Sequence, residues 1–273
     1  MIGELATVRL LGLDLADLDA RGAAGWLARR PADAPFAYVV TPNADHLVRL
    51  GRRPDLAPLY DRAMLRMLDS RVVQRLCRWL GLAAPAVATG SDLTEAILTT
   101  RLDRGERVTI IGLRAAHLPA LIARCGIAPP AHFDPPMGFE HDPAAMREAT
   151  EFVLANPARF VFLAVGSPCQ EKLAAAIQAT GRANGTGLCI GASLEFLAGV
   201  SVRAPGWMRR AGLEWLHRLA GDPRRLARRY FFDCPAVLPM LLRERIAPGS
   251  RARISVRSLA KALPRWAASL RRR

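Results

Sequence analysis

Through the first two thirds of the chain, short apolar runs rich in β-branched residues alternate with stretches of helical spacing, and this alternation narrows the choice of fold further than any other feature. The runs are Val8 to Leu11, Phe36 to Val40, Met64 to Leu68, Val108 to Ile111, Phe160 to Val165 and Gly187 to Ile190. Strands separated by helices imply βα units and a mostly parallel sheet, hence an α/β class. The intervening segments carry helix punctuation. Asp92 with Glu95 reads as a capping box opening a helix that closes near Gly105, and Gly126 ends the next. Asp142 and Pro143 open another that finishes at Asn156 and Pro157.

The residues just past each strand carry the functional information, because ligands of open α/β sheets bind outside the carboxyl ends of the strands. The run ending at Val40 leads into Thr41, Pro42 and Asn43; the run ending at Leu68 leads into Asp69 and Ser70; the run ending at Ile111 meets Gly112. Past Val165 come Gly166, Ser167, Pro168, Cys169 and Gln170, and past Ile190 come Gly191, Ala192 and Ser193. Small and polar groups therefore gather at one edge, where a cleft is expected. Asp69 is either a helix N-cap or a general base that takes a proton from an incoming hydroxyl. Thr41 and Asn43 are turn residues or ligands for a polar substrate, and Ser167 to Gln170 form a plain βα turn or a helix start facing an anion.

Several chemistries lose ground. Neither Gly166 nor Gly191 belongs to a G-x-G-x-x-G, and there is no G-x-x-x-x-G-K phosphate loop. The D-x-D of Asp17 to Asp19 has no second acidic cluster beside it, His46, His117, His132, His141 and His217 show no ligand spacing, and Ser167 lacks a nucleophile elbow. No metal site is expected. Cys77, Cys125, Cys169, Cys189 and Cys234 are scattered without a C-x-x-C pair, which suits a reducing, cytoplasmic setting. Neither a secretion leader nor a bilayer-spanning segment is expected, because no apolar run reaches the roughly 18 residues required, and any membrane is expected to be met from one face.

Charge divides the chain. From Arg203 onward there are eighteen Arg and Lys against four Asp and Glu, a net of +14, whereas the whole chain carries +15. Residues 203 to 232 pair arginines with Trp207, Trp215 and Tyr230, and Gly221, Asp222 and Pro223 split them into two short helices. Such a segment is a solvated basic face or an arginine clamp for a diphosphate or an anionic membrane. Residues 233 to 273 read either as a basic, amphipathic, membrane-associated tail or as a disordered, solvated one; in them Arg251, Arg253, Arg257, Lys261 and Arg265 alternate with Ile254, Val256, Leu259, Leu263 and Trp266. A nucleic-acid footprint is the competing reading of the charge, but no recognition motif accompanies it.

Taken in order, TPNADHLV at Thr41, LDS at Leu68, TGSDL at Thr89, IIG at Ile110, VGSPCQEK at Val165, IGASLEFLAG at Ile190 and RAPGWMRRAGLEWLHRL followed by DPRRLARRY resemble the WecG/TagA/CpsF glycosyltransferases. The resemblance spans residues 5 to 232. It implies a Rossmann-like α/β domain over residues 1 to 202 with a C-terminal arginine-rich helical appendage, and an inverting transferase that needs neither cofactor nor metal. It further implies transfer from a UDP-sugar, of N-acetylmannosamine, its uronic acid or glucose type, to a polyprenyl-diphosphate-linked saccharide at the cytoplasmic membrane surface, with no nucleic-acid partner. By the same resemblance the catalytic base falls on Asp69. Thr41, Asn43, Gly112, Ser167, Gln170, Glu171 and Gly191 are the expected substrate ligands, and Arg218, Arg225 and Arg228 the expected diphosphate ligands. The chain departs from the family at Ser70 and Arg71, where glycine usually comes after the base. The D-S-R form is closer to exopolysaccharide members of the xanthan type. It also lacks the usual arginine before TGSDL, has FDPPMGFE from Phe133 in place of H-G-Y-F, and carries Glu195 where aspartate is usual. A transferase fold that has lost activity and serves as a scaffold is the remaining alternative.

Overall fold

The computed structural model describes residues 5–103 and 105–246, together with the short strand at 254–255. Its centre is a six-stranded, all-parallel sheet in the order β4-β3-β8-β7-β5-β6. The strands are β1 Thr7–Leu10, β2 Leu13–Ala16, β3 Ala37–Val40, β4 Leu65–Arg66, β5 Thr109–Gly112, β6 Ala131–Phe133, β7 Phe160–Ala164, β8 Thr186–Cys189 and β9 Ile254–Ser255. The helices of the sheet domain are α1 Ala20–Ala28, α2 Ala44–Arg52, α3 Ala57–Asp61, α4 Arg71–Trp79, α5 Gly90–Thr100, α6 Leu118–Cys125, α7 Pro143–Ala155, α8 Cys169–Ala179 and α9 Ser193–Leu197.

The two-residue side-chain period of the strands separates two apolar layers. Tyr38, Val40, Ile111, Val161, Leu163 and Cys189 face one layer, packed by α2, α3, α4, α7 and α8. Ala37, Val39, Ile110, Phe160, Phe162 and Leu188 face the other, packed by α1, α5, α6 and α9. Burial on both faces is why these strands read as continuous apolar runs. The Rossmann-like α/β class expected from the sequence is the one observed.

Local departures have physical causes. The run beginning at Val8 is not a member of the parallel sheet. Leu11 and Gly12 have φ of 47° and 83°, and this two-residue turn folds β1 antiparallel onto β2, with β9 on the other side of β1. A connection that short cannot cross over to a parallel neighbour. The hairpin lies beside β4, where the Arg66 Nε donates to the Asp14 carbonyl at 3.0 Å. Strand β6 had no apolar signature to find, being three half-buried residues at the sheet edge. Helix α5 starts earlier than its Asp92–Glu95 box suggests: Thr89 is the cap, its Oγ1 accepting from the Asp92 N–H at 3.0 Å. The helix also ends at Thr100, short of the expected close near Gly105, whereas the boundaries of the next two helices fall where expected. Gly126 closes α6 at φ 64°, and Asp142 caps α7 by accepting from the Ala144 N–H at 2.8 Å.

Beyond the sheet domain come α10 Gly206–Arg210, α11 Glu214–Gly221 and α12 Pro223–Arg228, with the break at Asp222 that Gly221 and Pro223 predict. After a turn of π-helix at Arg229–Asp233, α13 runs over Val237–Ile246. These elements are tied to the domain at several points. Arg75 donates to the carbonyls of Arg210, at 2.6 Å, and Ala211. Arg203 pairs with Asp92 and Arg52 with Asp233, both at 2.7 Å. Helix α13 rests on α2 and α4 with Val237 and Leu241 buried, and Gly51 leaves the room Met240 occupies: a Cβ there would stand 2.7 Å from the Met240 Cε. The segment expected to begin a basic tail at residue 233 therefore starts with a packed helix. The alternating pattern from Arg251 lies outside the described residues apart from the backbone of β9.

Candidate active site

The site is built where β3 and β4 end against the start of α5. Helix α4 is capped by Ser70, whose Oγ accepts from the Val73 N–H at 3.2 Å, so the preceding Asp69 carboxylate is not used as that cap. The Asp69 backbone N–H donates to the Pro42 carbonyl at 2.9 Å, and its Oδ2 accepts from the Gly90 N–H at 3.1 Å. Gly90 is where three chain segments meet. A Cβ on it would lie 3.2 Å from both the Thr41 Oγ1 and the Ser193 Oγ and 3.4 Å from the Ile190 carbonyl. Burial raises the Asp69 carboxyl to about 7, against the opposing pull of the Gly90 N–H and the Arg218 guanidinium. A carboxylate so poised changes protonation near neutrality, as a general base must.

A cavity of about 470 Å³ opens in front of Asp69. The domain contributes Asn43, Asp45, Ser70, Arg71, Thr89 and Ser91 to its wall; the appendage contributes Glu214, Trp215, Arg218 and Tyr230; Val237 and Leu238 of α13 complete it. Arg218 stands in the wall with its Nη2 3.5 Å from the Glu214 Oε1 and its guanidinium 4.8 Å above the Phe196 ring. A guanidinium there is placed to meet negative charge developing near Asp69.

The remaining expected ligands divide into groups. Asn43 lines the cavity and also caps α2, accepting from the His46 N–H at 3.2 Å. Thr41 is buried, with its hydroxyl 3.4 Å from the Cys189 carbonyl. Gly112 serves the sheet: at φ 88° a Cβ would stand 2.8 Å from the Ala164 carbonyl. Ser167 accepts from Arg49 at 3.1 Å, and Arg49 pairs with Asp45 at 2.7 Å. Gln170 and Glu171, expected as substrate ligands, are turned into the protein with 3% and 1% of their surface exposed. The Gln170 Oε1 accepts from the Gly191 N–H at 2.8 Å while its Nε2 donates to the Glu171 Oε1 at 3.0 Å. Burial raises the Glu171 carboxyl, with Gln170 and Ser167 pulling the other way. This layer holds the strand ends in place and does not line the cavity. Of the two expected diphosphate arginines whose side chains are described, Arg218 lines it and Arg228 is exposed on α12; the Arg225 side chain lies outside the described residues.

The family model for "Glycosyl transferase WecG/TagA/CpsF family" matches residues 8–251. The chain belongs to this family. Membership makes it a glycosyltransferase of polysaccharide biosynthesis. The match extends past residue 232, so the family unit includes α13, which lies beyond the reach of the sequence motifs. The cavity of this WecG/TagA/CpsF member also draws on Arg71, Trp215, Tyr230 and Leu238, none of which the sequence places as a ligand. In the sequence Arg71 stands out only as a departure from the family, and the two aromatics only as apolar partners of arginine. Their common signal is position, since each neighbours a motif residue or comes after the appendage arginines. Among the described residues, no helix is long and apolar enough to cross a membrane.

Proposed function

We propose that this chain is an inverting transferase that moves a sugar from a UDP-sugar to a saccharide carried on a polyprenyl diphosphate, in the assembly of an exopolysaccharide. The observation that carries the reading is the Asp69 carboxyl, raised to about 7 and facing a cavity with Arg218 in its wall. Asp69 accepts the proton of the acceptor hydroxyl as that oxygen bonds to the anomeric carbon. The bond from that carbon to the phosphate oxygen breaks, and its electron pair leaves on UDP. Arg218 and the positive N-terminal end of α5 stabilise the resulting charge. Attack opposite the departing phosphate inverts the anomeric centre.

The outer surface of the appendage supports contact with the cytoplasmic face of a membrane. Trp207, Phe231 and Phe232 are 59%, 60% and 74% exposed, and the exposed Arg210, Arg224 and Arg228 lie in the same segment. Aromatic rings inserted among anionic headgroups, with arginines at the phosphates, hold a protein on one leaflet.

The test is a screen of UDP-sugars with a synthetic lipid-diphosphate saccharide, scored for transfer. Asp69→Asn is expected to keep its fold and its affinity for UDP and to lower kcat by about 10² to 10⁴. Near-normal transfer by that variant removes Asp69 from the mechanism.

A further inference from the structure

One cavity residue is left without an explanation by general-base transfer from a UDP-sugar. Arg71 is the first residue of α4, two positions after Asp69, and lines the same cavity. Among the described residues it makes neither a hydrogen bond nor an ion pair, whereas Asp45 is held by Arg49 and Arg218 has Glu214 and the Phe196 ring. A cation at the first position of a helix faces the positive end of the helix dipole, so nothing local favours it there. A residue that breaks a local rule without a local gain points to a ligand. The appendage passes close by: a Cβ added to Gly212, which sits at φ 67°, would be in van der Waals contact with the Arg71 Cβ at 3.7 Å.

Beside Arg71 the wall turns apolar, with Leu76 of α4, Leu238 of α13, and Trp215 and Tyr230, whose ring centroids are 5.8 Å apart. Tyr230 is followed directly in the chain by Phe231 and Phe232, which are exposed. We propose that Arg71 and this wall form the acceptor subsite: Arg71 holds a phosphate of the acceptor's diphosphate, and the wall seats the first isoprenoid unit. The inference rests on the transferase reading and goes further by dividing the cavity between the two substrates. A single occupant must present a hydroxyl to Asp69, an anion to Arg71 and hydrocarbon to Leu76 and Leu238. A sugar joined through a diphosphate to a lipid has all three in that order. An uncharged saccharide would use neither Arg71 nor the wall, and uridine diphosphate has no hydrocarbon to place there.

The experiment titrates geranyl diphosphate, methyl diphosphate and UDP onto the full chain and onto Arg71→Ala. Geranyl diphosphate is expected to bind the unaltered chain at least about tenfold more tightly than methyl diphosphate, given what burying several methylene groups contributes. Arg71→Ala is expected to weaken geranyl diphosphate by about 10-fold to 100-fold, the effect of deleting a charge-assisted hydrogen bond, while UDP affinity shifts by less than about twofold. Equal binding of geranyl diphosphate by variant and parent overturns the subsite, and so does equal binding of the methyl and geranyl compounds. Simple competition between geranyl diphosphate and UDP for one site overturns it as well. Because these readouts need no turnover, a chain that binds the prenyl compound through Arg71 yet transfers no sugar sinks the transferase reading and leaves the subsite standing.

Discussion

The buried layer at the strand ends and the cavity wall in front of it sit side by side and are built in opposite ways. In the buried layer most polar groups have partners inside the protein: Gln170 spans Gly191 and Glu171, Ser167 receives Arg49 and Thr41 reaches the Cys189 carbonyl, with the Glu171 Oε2 left over. Among the wall's charged groups Asp45 is held firmly by Arg49 at 2.7 Å, whereas three others are held loosely. Asp69 has one backbone N–H, Arg218 a long contact to Glu214, and Arg71 no partner among the described residues. A satisfied buried network fixes geometry, whereas groups left under-satisfied at a cavity are the ones with interactions still to make. On the proposed reading, shape falls to Gln170, Ser167 and Thr41, and chemistry to Asp69, Arg218 and Arg71.

The sharpest way to break this division is to delete Arg218. Arg218→Ala is expected to lower kcat by about 100-fold, the scale seen when one preorganised donor to a developing charge is removed. It should also move the acid limb of the pH–rate profile upward from about 7, because the guanidinium is one of the two groups holding the Asp69 carboxyl down. Arg228→Ala supplies the contrast, since Arg228 is exposed on α12 and lies outside the cavity wall. Equal losses at the two positions would mean that α12 closes over the site and that the wall is larger than the one described.

Gln170→Ala tests the other half. It leaves the Gly191 N–H and the Glu171 carboxyl without their side-chain partner in a buried setting, and loss of a partner there destabilises by about 1 to 3 kcal/mol. A lowered melting temperature with the UDP affinity retained supports a positioning role. Full stability with lost UDP affinity would instead make Gln170 a direct ligand, the role its family resemblance implies.

The same contrast accounts for how much of the molecule is legible in its sequence. The parallel sheet is readable because strands buried on both faces must be continuous apolar runs, and Asp69 is readable because it comes directly after one. The roles of Gln170 and Glu171 are not. A glutamine after a strand looks the same whether its amide faces a ligand or a backbone N–H, and the approach of Gly191 to α8 that supplies this N–H leaves no local pattern. Arg71 and Tyr230 are hidden for a different reason. They line one cavity from segments more than a hundred residues apart, and no local pattern records that approach. The misplaced cap of α5 is the same problem in small, since Thr89 and Asp92 are both good caps and Arg203, from a distant segment, takes the Asp92 carboxylate at 2.7 Å.

A last prediction bears on Asp69 itself and reads stability in place of rate. Its carboxyl is raised by burial from the ordinary 3.8 to about 7 in the folded chain. At low pH both folded and unfolded chains carry the proton, and the site makes no demand. As pH climbs from about 4 towards 7 the unfolded chain releases its proton first, which favours unfolding, and above about 7 the loss levels off. Asparagine has no such titration. Asp69→Asn should therefore melt close to the parent near pH 4 and above it by a margin that grows up to about pH 7 and then holds. A stability gain coinciding with lost turnover is the signature of a group kept for chemistry at the expense of the fold. A margin that stayed flat with pH would place Asp69 with the satisfied layer and not with the wall.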